Sequence, residues 1–97
     1  MKCLTWNLAW ASPTSDRLKI IQEEIRKVDP DVVCYTEIIR TVLHGGHSIE
    51  ASSDYGYANT GDRRKSVLWS KEPWVDPDMS GDPMMPSGRF ISGVAGG

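Results

Sequence analysis

Leu18, Ile21, Ile25 and Val28 return at intervals of three and four residues, with Ile20 beside them. Arg17, Lys19, Gln22, Glu23, Arg26 and Lys27 fill most of the remaining positions. This period predicts a helix over 16–28 with one apolar face that must be buried against something. Ser12-Pro13-Thr14-Ser15 precedes it and supplies hydroxyls that can cap a helix start. Asp29-Pro30-Asp31 ends it, because proline disfavours helical geometry in the residue before it. Glu23 and Lys27 form an i,i+4 pair on the polar side. Short apolar segments flank the helix on both sides. Strand, helix and strand in succession imply two parallel strands joined by a crossover, hence an α/β fold.

The first segment, Lys2 to Leu8, alternates Leu4, Trp6 and Leu8 against Cys3, Thr5 and Asn7. Both sets carry side chains that can be buried, so a central strand is expected, ended by Asn7. The second, Val32-Val33-Cys34-Tyr35-Thr36, is a nearly unbroken apolar run suited to a strand covered on both faces. Glu37 follows directly, at its carboxyl end. Ile38 to Leu43 allows a helical turn broken by Gly45-Gly46, and Ser52 to Tyr57 reads as irregular loop. A turn at Gly61-Asp62 leads into a third strand ending at Ser70. Four prolines between Glu72 and Ser87 predict a loop, and Gly88 to Val94 a fourth strand.

Eleven Lys and Arg against thirteen Asp and Glu leave a net charge of −2 on 97 residues, so any phosphate binding must be local. No apolar run approaches the roughly 20 residues of a membrane span, and the N-terminal segment is too short and too polar for a signal peptide. Cys3 and Cys34 are expected as small buried hydrophobes; two cysteines make no disulfide framework, which favours a cytoplasmic setting. One helix covers one face of a sheet, yet the strands look apolar on both. Residues 1–97 are therefore expected to form a piece of a larger domain, the alternative being a small complete domain or an oligomer that supplies the missing layer.

Asn7 and Glu37 stand at the ends of neighbouring strands, where open α/β sheets gather their ligand sites. A carboxylate and an amide there suit Mg²⁺ or phosphate, since Mg²⁺ takes oxygen ligands and often only one or two carboxylates. The plainer reading makes Glu37 a solvated loop residue and Asn7 a strand cap. Arg64, within Arg63-Arg64-Lys65, and Arg89 are candidates for phosphate oxygens, which the guanidinium fork matches. His44 and His47 lack the further ligands of a zinc site and are expected to be exposed. Ser66 and Ser70 have no histidine–acid partners, which leaves a serine hydrolase unsupported. The four tryptophans are expected as core or loop anchors rather than a base-stacking platform.

Thr5-Trp6-Asn7, the amphipathic helix and Pro30-Asp31-Val32-Val33-Cys34-Tyr35-Thr36-Glu37 together resemble the opening of the endonuclease/exonuclease/phosphatase superfamily, whose members include deoxyribonuclease-I-like enzymes. Arg63 to Trp74, with its Trp-Ser-Lys-Glu-Pro ending, and Pro86-Ser87-Gly88-Arg89-Phe90 are similar to later strands of bacterial members. The resemblance implies a four-layer α/β-sandwich and Mg²⁺- or Mn²⁺-dependent hydrolysis of a phosphoester, nucleic acid among the candidate substrates. In it Glu37 corresponds to the metal-binding glutamate and Asn7 to the asparagine that organises metal and phosphate. The family's aspartate-x-asparagine motif and its C-terminal aspartate–histidine pair have no counterpart here. The resemblance therefore implies an N-terminal portion that is weakly active or inactive alone. The alternative is a non-catalytic module that binds nucleic acid or phosphate.

Overall fold

A computed structural model of the protein describes residues 1–51, 61–78 and 92–95. Along them run β1 (Cys3–Asn7), α1 (Asp16–Val28), β2 (Val32–Ile39), a 3₁₀ turn (Arg40–Val42), β3 (His47–Glu50), β4 (Arg63–Ser70), β5 (Trp74–Asp78) and β6 (Ser92–Ala95). The fold is mixed α/β, with one helix laid on a four-stranded sheet.

α1 has the predicted limits. Ser15 holds an extended backbone while its Oγ accepts the Leu18 N–H at 3.1 Å, satisfying one of the donors that a helix start leaves open. At the other end Asp29 turns into the left-handed region, with φ at 52°, and its N–H returns to the Ile25 carbonyl at 2.9 Å. Leu18 and Ile21 are buried and Ile25 packs against the core, but Val28 has left it and Ile20 faces outward. The helix-surface ion pairs are Lys19–Asp16 at 3.8 Å, Arg26–Glu23 at 2.6 Å and Lys27–Glu24 at 3.4 Å, each pair three residues apart, where the sequence suggested Glu23 with Lys27. Exposed as they are, such pairs add little stability.

Sheet order is β1-β2-β4-β3, with β1 parallel to β2 and the other neighbours antiparallel. Leu4 lies beside Val33 and Trp6 beside Tyr35, which in turn align with Trp69 and Val67 of β4. Together with Leu8, Ala11, Leu18, Ile21, Ile38 and Val42 these side chains make the core between sheet and helix. Val33, Ile38 and Val67 are fully buried, and each such side chain contributes about 1.5–3 kcal/mol relative to exposure.

The sequence reading of β1 as a central strand is corrected: it forms one edge of the sheet. Its Cys3, Thr5 and Asn7 face is exposed, so Cys3 is not a buried hydrophobe and Cys34 is only half-buried. Burial pushes the Cys34 thiol's pKa up, which keeps it a neutral thiol. Both cysteines are free. The far face of β2 and β4 presents Cys34, Thr36, Ser66 and Leu68, all half-buried, so α1 covers one side of this sheet only.

Three further expectations change. The helical turn after the second strand is real but shorter, because β2 continues to Ile39. β3, absent from the sequence reading, pairs with the far side of β4. The proline-rich stretch is not all loop: Trp74–Asp78 pairs with Ser92–Ala95, which tolerates Pro77 because this two-stranded ribbon is irregular between Val75 and Asp78. Trp74 Nε1 donates to the His47 carbonyl at 3.1 Å and ties that ribbon to β3. The expected loop at Ser52 to Tyr57 and the start of the last strand at Gly88 lie outside the described residues. Among the described residues no helix is long and apolar enough to cross a membrane.

The amino ends of β1 and β2 are joined by charge. The Lys2 backbone N–H donates to Asp31 Oδ2 at 2.7 Å, and Lys71 Nζ reaches Asp29 at 2.9 Å and Asp31 at 3.8 Å. The Lys2 hydrogen bond, reinforced by Lys71, holds the Asp31 carboxyl below its ordinary value. A depressed carboxylate pKa contributes stability that is present above the unfolded value of about 3.9 and is lost as pH falls through the folded one. Asp31→Asn should therefore lower Tm modestly near neutrality, converge with the wild type in acid and so flatten the decline of Tm below about pH 4, as thermal melts across pH will show. Ser15→Ala should cost about 1 kcal/mol in denaturant titrations, the ordinary loss for a helix cap.

Candidate functional site

The parallel register brings the carboxyl ends of β1 and β2 together, with Asn7 opposite Thr36. Beyond that pair the ladder continues into the following loop: Leu8 N–H donates to the Thr36 carbonyl at 3.0 Å and Trp10 N–H to the Glu37 carbonyl at 2.8 Å. The Asn7 Oδ1 accepts the Ala9 N–H at 2.8 Å, an Asx turn that fixes the exit of β1. Ala11 N–H closes on the Leu8 carbonyl at 3.0 Å, and Arg17 Nη2 donates to the Ala9 carbonyl at 3.0 Å. Residues 7–11 are thus a built turn docked on Glu37.

Glu37 is not beyond the strand, as the sequence suggested, but inside β2. Its φ is +50°, a left-handed conformation that costs an ordinary L-residue about 1–2 kcal/mol. The consequence is visible in the burial pattern. Val33 and Tyr35 face the core, and so does Ile38, which strict alternation would have turned away. Ala9 and Trp10, the second hydrogen-bonded to the Glu37 carbonyl, also have positive φ, at 46° and 59°. Backbone strain of this kind gathers where a particular side-chain geometry is held by its surroundings.

The Glu37 carboxylate is one-third exposed and lies 3.8 Å from Lys65 Nζ on β4. Lys65 Nζ also sits 5.5 Å from the centre of the Trp10 ring, and the Arg63 guanidinium 5.2 Å from it, both within cation–π range. Two cations, one indole and one carboxylate therefore meet at this edge of the sheet. The sequence reading had favoured Arg64. Its Nη1 instead donates to the carbonyls of Gly61 and Arg63, at 2.5 and 2.9 Å, and stabilises its own turn. Strand alternation holds the missing signal, because residues 63 and 65 share a face and 64 takes the other. Arg89 lies outside the described residues. His44 and His47 are exposed, as expected.

For a divalent cation this end offers one part-exposed carboxylate. That suits Mg²⁺, which keeps several waters and takes one or two protein carboxylates, better than it suits a caged metal. Among the described residues no three His, Cys, Asp or Glu side chains converge on one point. Two cavities, of about 440 and 520 Å³, open elsewhere: one beside Ile25, Tyr35, His44 and Trp69, the other beside Met1, Asp31 and Lys71. Neither includes Asn7 or Glu37.

Comparison with protein-family models, curated proteins and solved structures found no match.

The left-handed backbone at Glu37 is separable from its charge. Glu37→Gly and Glu37→Ala both remove the carboxylate, so glycine should be the more stable of the two by about 1 kcal/mol in denaturant titrations. Glu37→Val should be the least stable of the three, since a β-branched residue is poorly accommodated there.

Proposed function

We propose that this chain is the N-terminal part of a Mg²⁺-dependent phosphoester hydrolase of the endonuclease/exonuclease/phosphatase type, weakly active or inactive alone. In this reading the described sheet and α1 belong to a four-layer α/β-sandwich, and the half-buried face of the sheet opposite α1 is where its remaining half would pack. The observation that carries the proposal is the docking of the Asn7 turn on Glu37. It sets an amide and a part-exposed carboxylate at the carboxyl ends of two adjacent parallel strands, with Arg63 and Lys65 beside them.

Each side chain has a role in this scheme. Glu37 would hold Mg²⁺, or Mn²⁺ in its place, through one carboxylate oxygen. The cation, when bound, polarises the phosphoryl group. Asn7 keeps its Oδ1 on the Ala9 N–H, which leaves its amide N–H groups to donate to a phosphate oxygen. Arg63 and Lys65 supply positive charge against the dianionic character that builds on the phosphoryl oxygens during in-line attack. Their aliphatic stems and the Trp10 ring keep them on that side of the sheet. Activation of the attacking water belongs to groups outside this chain, namely the family's aspartate-x-asparagine motif and terminal aspartate–histidine pair.

A polypeptide extended through the downstream reading frame should hydrolyse a phosphodiester only with Mg²⁺ or Mn²⁺ present. Glu37→Gln in that polypeptide should reduce turnover by about a hundredfold or more with its circular dichroism unchanged. Metal-independent activity, or an unaffected Glu37→Gln variant, refutes the assignment. The two cations at Trp10 favour one other reading, a phosphate- or nucleic-acid-binding module without chemistry. Binding of an oligonucleotide by the 97-residue chain that weakens steeply with salt, alongside an extended polypeptide without turnover, would establish it instead.

A further inference from the structure

We infer that Lys65 is a built-in competitor of the divalent cation: its ammonium neutralises Glu37 when no metal is bound and transfers to a phosphate oxygen when one is. The inference rests on the proposed metal-binding role of Glu37 and concerns a residue that reading leaves as general positive charge.

Four observations carry it. Lys65 Nζ lies 3.8 Å from Glu37 Oε2, and both side chains are largely shielded, with 26% and 32% exposure. The carboxylate is therefore already partnered, and a metal ion must displace that partner or accept its repulsion. The backbone holds the pair in place. β4 runs antiparallel to β2, and the neighbours Thr36 and Ile38 align with Ser66 and Arg64, which sets Lys65 across from Glu37. The positive φ of Glu37 and the Trp10 N–H on its carbonyl fix the backbone from which its side chain projects. Lys65 Nζ is at the same time 5.5 Å from the Trp10 ring centre, so carboxylate and indole share the ammonium. An ammonium released from Glu37 would remain there, over the indole and next to Arg63, where a phosphoryl group bound at Glu37's metal would find two cations.

The exchange makes metal and phosphate binding cooperative. The metal frees Lys65 for phosphate, and phosphate, by drawing Lys65 off, clears Glu37 for metal. It also lowers the affinity for metal alone. Part-shielded ion pairs of this kind are worth up to about a fivefold change in an equilibrium, so removing the ammonium should tighten the metal site by about that much.

The test is a titration of the ¹⁵N-labelled 97-residue chain with MnCl₂, read as paramagnetic broadening of backbone amides, with MgCl₂ as the diamagnetic competitor. The wild-type chain should lose amide intensity around Asn7 to Trp10 and Thr36 to Ile38, and Glu37→Gln should abolish that effect. Lys65→Met, which keeps the stem over Trp10, should shift the midpoint to about fivefold lower Mn²⁺. Lys65→Arg should restore the wild-type midpoint. Lys65→Gln guards against a packing artefact and should behave as Lys65→Met does. Inorganic phosphate should lower the wild-type midpoint and leave that of Lys65→Met unchanged. If the variants without charge bind Mn²⁺ no more tightly than wild type, while the Glu37-dependent broadening persists, the competitor role is refuted and the metal site stands. If no form of the chain shows Glu37-dependent broadening, both the metal site and the role of Lys65 fall.

Discussion

The parallel ladder between β1 and β2 is the constraint on which the rest of the molecule depends. Parallel strands cannot be joined by a tight turn, so α1 must cross over the sheet, and its apolar stripe then becomes the cover of that face. The same ladder does not stop at the last paired residues. It runs on through Leu8 and Trp10 into the loop and locks that loop onto the neighbouring strand. Packing and site geometry are thus set by one set of backbone hydrogen bonds. The helix is held by what lies in the middle of the ladder, and Asn7, Trp10 and Glu37 by what lies at its end.

Electrostatics divide the sheet along its length. At the amino ends of β1 and β2, Lys71 pairs with Asp29 and Asp31, and the Lys2 backbone N–H donates to Asp31. At the carboxyl ends one carboxylate faces two cations gathered on an indole. The first arrangement is self-satisfied and reads as a clasp between β1, β2 and the end of β4. The second carries local positive charge on a chain whose overall charge is slightly negative, which is the condition for a confined anion site without general attraction to polyanions.

What the sequence disclosed follows from the range of the forces involved. α1 was legible to the residue because its start and stop are local: the Ser15 hydroxyl caps within three positions and Pro30 bars continuation. The first two strands and their parallel relation were legible because a crossover helix leaves little choice. β3 was not, since His47-Ser48-Ile49-Glu50 has no strand-like composition and owes its conformation to β4, a partner distant in the chain. β5 was hidden by Pro77, whose meaning changes once its strand lies in an irregular two-stranded ribbon. Asn7 and Glu37 were legible as neighbours at the ends of adjacent strands, but nothing in Thr36-Glu37-Ile38 announces that β2 continues through a left-handed residue. That conformation is imposed by the Ile38 side chain's burial on one side and the Trp10 hydrogen bond on the other. In the basic run Arg64 turns its Nη1 to the Gly61 and Arg63 carbonyls, while alternation along β4 sets Arg63 and Lys65 together at Trp10.

The position of β4 between β2 and β3 has a consequence for assembly. β3 precedes β4 in the chain yet borders no other strand of that sheet, so it has nothing to pair with until residues 63–70 have arrived. On a ribosome, the β1–α1–β2 unit can form while β3 is still an unpartnered extended segment. In the finished sheet Trp69 of β4 donates its indole N–H to the Gly45 carbonyl at 3.0 Å, and Gly46 lies so close beneath the ring that a methyl group would collide with it. The late-arriving strand therefore brings its own latch. Once in place β4 offers one side to β2 and the other to β3, and its Trp69 fastens the glycine pair that leads into β3.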